Sequence, residues 1–299
     1  MNPARVYSLT FPGIKAWIRD VSLLTKLRLS VLVVFSAAIG FLLASGHSVV
    51  WNQFFLLVFG GFLVTAASNA LNQIIEKDYD RLMDRTRGRP LPAERMGINE
   101  ALLIAGTFAF CGLTIFLVYF NALSAILSAL ALIVYAFIYT PLKRFTPAAV
   151  FVGALPGALP PLIGAVSAAG TFTTEGWLLF AIQFLWQFPH FWAVAWVAYD
   201  DYLKAGYYLL PSRQGRNRFS ALQILWYTLM LVPVSVLPSV IGVSGINSFI
   251  VNLGCSLLFL YVAIQLVYTG TIAWARRLMF ASFLYLPLVQ LSVYFDRQL

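Results

Sequence analysis

Side chains that carry oxygen ligands recur every four residues after the second apolar run of the chain: Asn72, Glu76, Asp80 and Asp84. Each step of four residues turns an α-helix by only about 40°, so these side chains would form a row along one helix face. Amide and carboxylate oxygens suit Mg²⁺, which takes one or two protein carboxylates and completes its shell with water and substrate phosphates. The row therefore predicts a magnesium site that binds a phosphate ester.

Three arginines, Arg85, Arg87 and Arg89, follow this row directly. Guanidinium groups bind phosphate oxygens in a fork and stabilise charge that develops on a leaving group. The alternative is a solvated helix end in which acids and bases only pair with one another. We favour the binding site, because the preceding run is apolar enough to cross a bilayer and ionisable groups beside a bilayer tend to mark function.

A second charged cluster, Asp200, Asp201 and Lys204, follows the sixth apolar run. Adjacent carboxylates point about 100° apart on a helix, so only one of the two can face inward. We expect Asp201 to face inward, with Asp200 as its helper. Four apolar runs separate this cluster from Asn72, so both lie on the same side of a membrane and could face one another. The alternative is a cluster that only caps a helix.

His190 lies within the sixth apolar run, directly after Pro189. Proline removes a backbone donor and lets a membrane helix bend, which opens room for a ligand. A neutral imidazole is a ready iron ligand or proton acceptor. A buried histidine bonded to a neighbouring carbonyl explains the position equally well, and both alternatives stay open.

The composition requires these clusters to be held by membrane helices. Of the 299 residues, 61% are hydrophobic and only 10% are charged, and the mean hydropathy is +0.83, whereas about a quarter of the residues of a soluble domain are charged. Nine apolar runs have the length of about 20 residues that a membrane crossing needs. We therefore predict an all-α polytopic protein with one domain over 1–299, of which 1–24 is an N-terminal segment. The runs are 28–46, 53–75, 99–120, 122–140, 148–169, 177–198, 219–241, 247–268 and 273–295.

Lysine and arginine set the expected orientation. All of them except Arg297 lie at or before the start of the first run or beside the loops that follow the even-numbered runs. The positive-inside rule then places the N-terminus and both acidic clusters in the cytoplasm. The net charge of +9 is thereby explained by topology, and no nucleic-acid partner is expected.

The first cluster also resembles a known family. N-x3-E-x3-D at 72–80, MDRT at 83–86 and RPL at 89–91 resemble the first aspartate-rich motif of the membrane prenyltransferases of the ubiquinone-biosynthesis superfamily. An aspartate is commoner in that superfamily where Glu76 stands, and the carboxylate is kept here.

Two further motifs are similar to one branch of this superfamily, the protohaem IX farnesyltransferases. They are QFPHF at 187–191 and DDYLKAG at 200–206. Many superfamily members have a second aspartate at the position of Ala205. This chain lacks that aspartate, and in this respect it is similar to the farnesyltransferase branch.

The resemblance implies nine helices around a central chamber and transfer of the farnesyl group of farnesyl diphosphate to the 2-vinyl group of haem b, with water addition, to give haem o. It implies Mg²⁺ as cofactor, bound by Asn72, Glu76, Asp80, Asp84 and Asp201. It also implies substrate-binding roles for Arg85, Arg89, Lys143, Arg144, Lys204, Asp200 and His190. The expected setting is the lipid bilayer of a bacterial inner membrane, with a haem-receiving partner such as a haem A synthase or a terminal oxidase assembly.

Other functions remain as alternatives. Lys143 and Arg144 follow the fourth run, where a plain topological anchor fits as well as a ligand for diphosphate or haem propionates. The acceptor could instead be an aromatic acid or quinone precursor. A secondary transporter ranks behind both, because transporters place ionisable residues near the bilayer midplane and here the formal charges lie at helix ends.

Overall fold

The computed structural model describes residues 13–46 and 48–298. Within these ranges, nine helices are long and apolar enough to cross a membrane, which confirms the predicted count. They are α2 (Leu27–Ala44), α3 (Trp51–Asp80), α4 (Ile98–Tyr119), α5 (Ala122–Leu142), α6 (Ala149–Ala169), α7 (Thr174–Val197), α9 (Arg218–Val240), α10 (Ile246–Thr269) and α11 (Ile272–Phe295). Two shorter helices, α1 (Ile14–Leu24) and α8 (Tyr199–Lys204), lie outside the spanning segments.

The second spanning helix is longer than its apolar run. Helix α3 continues to Asp80, five residues beyond the predicted end at 75, so Asn72, Glu76 and Asp80 lie on one continuous helix. It ends there, and the expected fourth member of the row, Asp84, falls in the turns that follow. The prediction that Asp84 extends the helical row by another turn is therefore wrong.

Helix α1 occupies part of the segment that was expected only to be a basic N-terminal extension. Its last carbonyls, those of Leu23 and Leu24, both accept hydrogen bonds from the side-chain amide of Gln73 on α3, at 2.8 and 2.7 Å. The bond to Leu24 satisfies a carbonyl that the helix end leaves without a partner in the helix. Both bonds also fix the junction between α1 and α2 against the helix that carries the oxygen row.

Helices α2, α3, α5 and α6 form a closed ring, because each packs against the next and α6 packs back against α2. The closest approach joins α2 to α6. A Cβ on Gly40 would lie 2.0 Å from the carbonyl oxygen of Pro161, and a Cβ on Gly164 would lie 1.9 Å from that of Ala37. Only glycine permits this backbone contact, as is typical of membrane helix pairs.

Helix α5 contains a π-helical turn at Val134–Tyr139. Such turns insert an extra residue and are frequent at functional sites. This one shifts the phase of the helix just before Thr140 and Lys143, and both of these side chains then contact α3. The apolar run alone gave no sign of this turn.

The second half of the molecule is organised around α7, which packs against α6, α9 and α11. Phe188 and Trp192 of α7 contact the rings of Phe151 on α6 and Tyr227 on α9. Helix α7 ends at Val197, and α8 follows after one residue. Asp200 and Asp201 therefore lie on a separate short helix and not on an extension of the sixth span.

Candidate functional site

The oxygen row on α3, which consists of Asn72, Glu76 and Asp80, is buried. Asn72 donates its side-chain amide to Glu76 Oε2 at 2.9 Å and to Thr140 Oγ1 at 3.0 Å. Tyr207 donates its hydroxyl to Glu76 Oε1 at 3.2 Å. The spacing of four thus aligns the three side chains as predicted, and partners from α5 and from the segment after α8 close over them.

Each member of the row also contacts a lysine or an arginine from another part of the chain. Lys26 Nζ donates to Asn72 Oδ1 at 2.8 Å. Lys143 forms an ion pair with Glu76. Arg89 Nη1 lies 2.6 Å from Asp80 Oδ2. Lys143 and Arg89 compensate the cost of burying the two carboxylates.

One oxygen of the row remains without a partner. Asp80 Oδ1 is buried and accepts no hydrogen bond from the described residues. A buried carboxylate oxygen in this state is costly unless a ligand completes its shell. A hard cation such as Mg²⁺ prefers carboxylate oxygens of this kind, so the donor set of Asn72, Glu76 and Asp80 fits a magnesium ion.

The two acidic motifs meet directly. Asp201 accepts hydrogen bonds from the backbone N–H of Asp84 at 2.8 Å and of Arg85 at 3.1 Å. Lys204 contacts both Asp84 and Asp201. These contacts, which we call the Asp201 bridge, confirm that the second motif faces the first. They also use Asp201 to hold the turns after α3.

The Asp201 bridge perturbs the ionisation of its members. Burial works to raise the pKa of Asp201, but the two backbone N–H donors and Lys204 outweigh it and the pKa is lowered. The pKa of Asp84 is also lowered, chiefly by its hydrogen bond to Lys204. The pKa of Lys204 is raised in turn by Asp84 and Asp201. All three groups are therefore held in their charged forms.

The two lysines beside the row, Lys26 and Lys143, differ in the direction in which their pKa values are shifted. Burial, and after it the positive charge of Arg89, lowers the pKa of Lys26 to about 7. Burial also disfavours the charge on Lys143, but Glu76 outweighs burial and raises the pKa. Lys143 is thus a fixed cation next to Glu76, whereas the charge of Lys26 is poorly compensated.

Of the other charged side chains that were predicted to belong to the site, some lie at its mouth and Asp200 does not. Arg85 donates to the hydroxyl of Tyr202 at 3.2 Å, and Arg144 lies over the ring of Tyr79 at 4.7 Å. Both arginines are exposed. Asp200 instead pairs with Arg216 at 3.1 Å and its side chain is largely exposed. The structure therefore brings Arg85 and Arg144 to the mouth, while Asp200 points to a partner outside it.

An apolar cavity of about 120 Å³ begins one helical turn deeper than Asn72. It lies inside the ring of α2, α3, α5 and α6. Asn69 and Tyr135 line its polar end. Its other walls include Val34, Val64, Phe116, Ala131, Pro160 and Ile163.

His190 lies between α7 and α11. Its Nδ1 is 2.7 Å from Ser282 Oγ, and its ring stacks on Trp186 at 4.6 Å. It is buried seven residues before the end of α7, about 10 Å along the helix. His190 thus bonds to the hydroxyl group of Ser282, whereas the alternative interpretation of this histidine expected a bond to a neighbouring carbonyl.

The comparison with known protein families decides the class. Residues 33–285 match the model described as the UbiA prenyltransferase family. The chain belongs to the UbiA prenyltransferase family. This membership agrees with the resemblance that the aspartate-rich motif carries, and it removes the support for a transporter.

Relatives and solved structures agree with this assignment. Protoheme IX farnesyltransferase of Cytophaga hutchinsonii is 46% identical over 92% of this chain and 96% of its own length. The protein of that name from Christiangramia forsetii is 45% identical over 93% of each. A structure of digeranylgeranylglyceryl phosphate synthase matches 93% of this chain and 98% of its own with a TM-score of 0.79 and 21% identity. A UbiA homologue from Archaeoglobus fulgidus bound to GPP and Mg²⁺ matches 92% and 99% with a TM-score of 0.68 and 15% identity.

This protein is thus a multi-pass membrane prenyltransferase with the UbiA fold.

Sequence reasoning missed three polar partners of the oxygen row, Lys26, Thr140 and Tyr207. Two of them had a signal in the sequence, because Lys26 directly precedes the first spanning run and Tyr207 closely follows Asp201. Thr140 depends on the π-helical turn in α5, and no pattern in the sequence indicated it.

Proposed function

We propose that this prenyltransferase transfers the farnesyl group of farnesyl diphosphate to the 2-vinyl group of haem b, with water addition, and releases haem o and diphosphate. The observation that carries the proposal is the unpartnered Asp80 Oδ1, about 16 Å along the same face of α3 from Asn69 at the polar end of the apolar cavity. A metal-bound diphosphate at the row would place its hydrocarbon chain in that cavity. The relatives named protoheme IX farnesyltransferase support haem as the acceptor.

Mg²⁺ would be held on one side of the diphosphate by Asn72, Glu76 and Asp80. On the other side of the diphosphate, Mg²⁺ would be held by Asp84 and Asp201. When bound, the metal neutralises the phosphate charge and stabilises the leaving group. Of the second pair, Asp201 is already engaged by two backbone donors, and Asp84 is exposed. We assign Asp200 a supporting role only.

Cationic side chains from three segments stabilise the leaving diphosphate. Beside the row, Lys143 is buried and Arg89 is partly buried, and each lies next to a carboxylate that the metal would take over. Released from these pairs, they can turn toward the phosphate oxygens. Arg85, Arg144 and Lys204 lie at the mouth, where they attract and orient the anion.

The chemistry needs a cavity that excludes water. As the C1–O bond of farnesyl diphosphate breaks, an allylic cation forms and the electrons of the haem vinyl group form the new carbon–carbon bond. One water molecule captures the second cation and loses a proton, which gives the hydroxyethylfarnesyl group. The apolar walls of the α2–α3–α5–α6 ring protect the first cation from premature capture.

His190 serves the haem in this proposal. It lies well inside the membrane and away from the oxygen row, at a depth that a planar, largely apolar porphyrin can reach. The setting is a bacterial inner membrane with the row on the cytoplasmic side, and the product passes to a haem A synthase or a terminal oxidase assembly.

The test compares two carboxylates of α3. Asp80→Asn removes the negative charge that the metal requires. Mg²⁺-dependent binding of farnesyl diphosphate should therefore weaken by at least about 10–100-fold, because loss of a residue that only supports a metal ligand already lowers metal affinity by that much. Asp78→Asn is the matched control, since Asp78 is exposed two residues away. Equal binding by the two variants would contradict the metal assignment.

A further inference from the structure

The hydroxyl of Ser282 lies between two polar groups of the membrane interior. Ser282 Oγ is 2.6 Å from the carbonyl oxygen of Met279 and 2.7 Å from His190 Nδ1. Two oxygens at 2.6 Å need a hydrogen between them, and a carbonyl has none to give. The single proton of the hydroxyl therefore points at Met279, and Ser282 Oγ can only accept from His190.

This arrangement fixes the tautomer of the imidazole. Nδ1 must carry the proton that it donates to Ser282, so Nε2 keeps its lone pair. Nε2 makes no hydrogen bond with the described residues, although His190 is nine-tenths buried. A histidine that donates one ring nitrogen and leaves the other free has the form that metal-binding histidines take.

The ring is also fixed in orientation. Trp186 stacks on one face with an angle of 11° between the planes, and Phe283 packs edge-on at 5.0 Å. The indole N–H of Trp186 donates to the backbone carbonyl of Ser282 at 2.9 Å. The same stretch of α11 thus orients both the imidazole and the aromatic side chain that holds it.

We propose that Ser282 is a positioning residue that keeps His190 Nε2 available to bind the iron of the haem substrate. The inference rests on the proposed function, because it takes haem as the acceptor. Ser282 does not touch the haem itself. It acts by keeping the Nε2 lone pair available and the ring in one orientation, so that the porphyrin binds in one position.

The test is the absorption spectrum and the dissociation constant of ferric haem b added to the purified full-length protein. Ser282→Ala should weaken haem binding by about 10–100-fold, as expected for loss of a partner that supports a metal ligand, and should decrease the imidazole-ligated form in the spectrum. Ser282→Thr keeps the hydroxyl and should restore both. Ser167→Ala is the matched control, because Ser167 is buried and bonds only to its own helix at Ile163.

The outcomes separate this inference from the proposed function. If His190→Ala loses the imidazole-ligated spectrum and Ser282→Ala keeps it with unchanged affinity, Ser282 has no positioning role. If His190→Ala itself leaves the spectrum unchanged, His190 is not the ligand and the inference fails. In both cases farnesylation of haem by the wild-type protein, measured separately, still decides the proposed function.

Discussion

Replacement of Glu76 by glutamine should destabilise the protein through its partner, Lys143. Both side chains are almost fully buried, with 7% and 11% of their surface exposed, and they form an ion pair. The substitution keeps the shape and an acceptor oxygen for Tyr207 but leaves the charge of Lys143 uncompensated. Breaking one partner of a buried pair costs about 3–5 kcal/mol, which is a large part of the 5–15 kcal/mol that typically stabilises a folded protein.

Removal of both charges should recover most of this loss. In the double variant Glu76→Gln, Lys143→Met no buried charge remains unpaired, so the free energy of unfolding should return to within about 1–2 kcal/mol of the wild-type value. Unfolding in detergent measures stability, and farnesyl transfer is measured alongside. Both variants should be inactive, since both lack the proposed metal ligand Glu76 and the double variant also lacks the proposed phosphate ligand Lys143. A double variant no more stable than Glu76→Gln alone would refute the pairing.

Three further predictions concern the cavity, the Asp201 bridge and the orientation. Ala131→Phe should fill part of the cavity and weaken binding of farnesyl diphosphate more than that of geranyl diphosphate, as titration of the two would show; equal losses would contradict the placement of the chain. The folded-state pKa of Asp201 is lowered, so its contribution to stability is complete above the ordinary aspartate pKa of about 3.9 and is lost as the pH falls below that value. The rate of proteolysis within 81–97 should therefore stay constant from about pH 6 to 4 and increase only below about pH 4. An increase in this rate already near pH 6 would contradict the Asp201 bridge. With the native cysteines replaced, Gly88→Cys should react with a membrane-impermeant thiol reagent only from the cytoplasmic side and Ser48→Cys only from outside; the reverse pattern would overturn the orientation.

The sequence predicted the helices well because nearly all of them depend on one strong signal. Apolar runs of about 20 residues must be helical in a bilayer, since no water is present to satisfy the backbone. The bounds were least accurate where polar residues continue a helix beyond the membrane, as in α3, which reaches Asp80. The π-helical turn of α5 was not predictable, because its residues Val134–Tyr139 are as apolar as those of an ordinary span.

The site was predicted in its outline but not in its pairings. Spacing by four was enough to align Asn72, Glu76 and Asp80, since helix geometry alone decides it. Which lysine contacts each member depends on how the start of α2 and the end of α5 pack against α3, and this packing brings Lys26 and Lys143 to the row. Local periodicity carries no information about such contacts.

The central claim, farnesyl transfer to haem b, is tested most directly by the mass of the product. Purified protein is incubated with haem b, farnesyl diphosphate and Mg²⁺, and the haem is extracted and analysed by mass spectrometry. The account predicts a haem that has gained one farnesyl group and one hydroxyl group, together with released diphosphate. Unmodified haem, with farnesylation of an aromatic acid or quinone precursor offered under the same conditions, would contradict it.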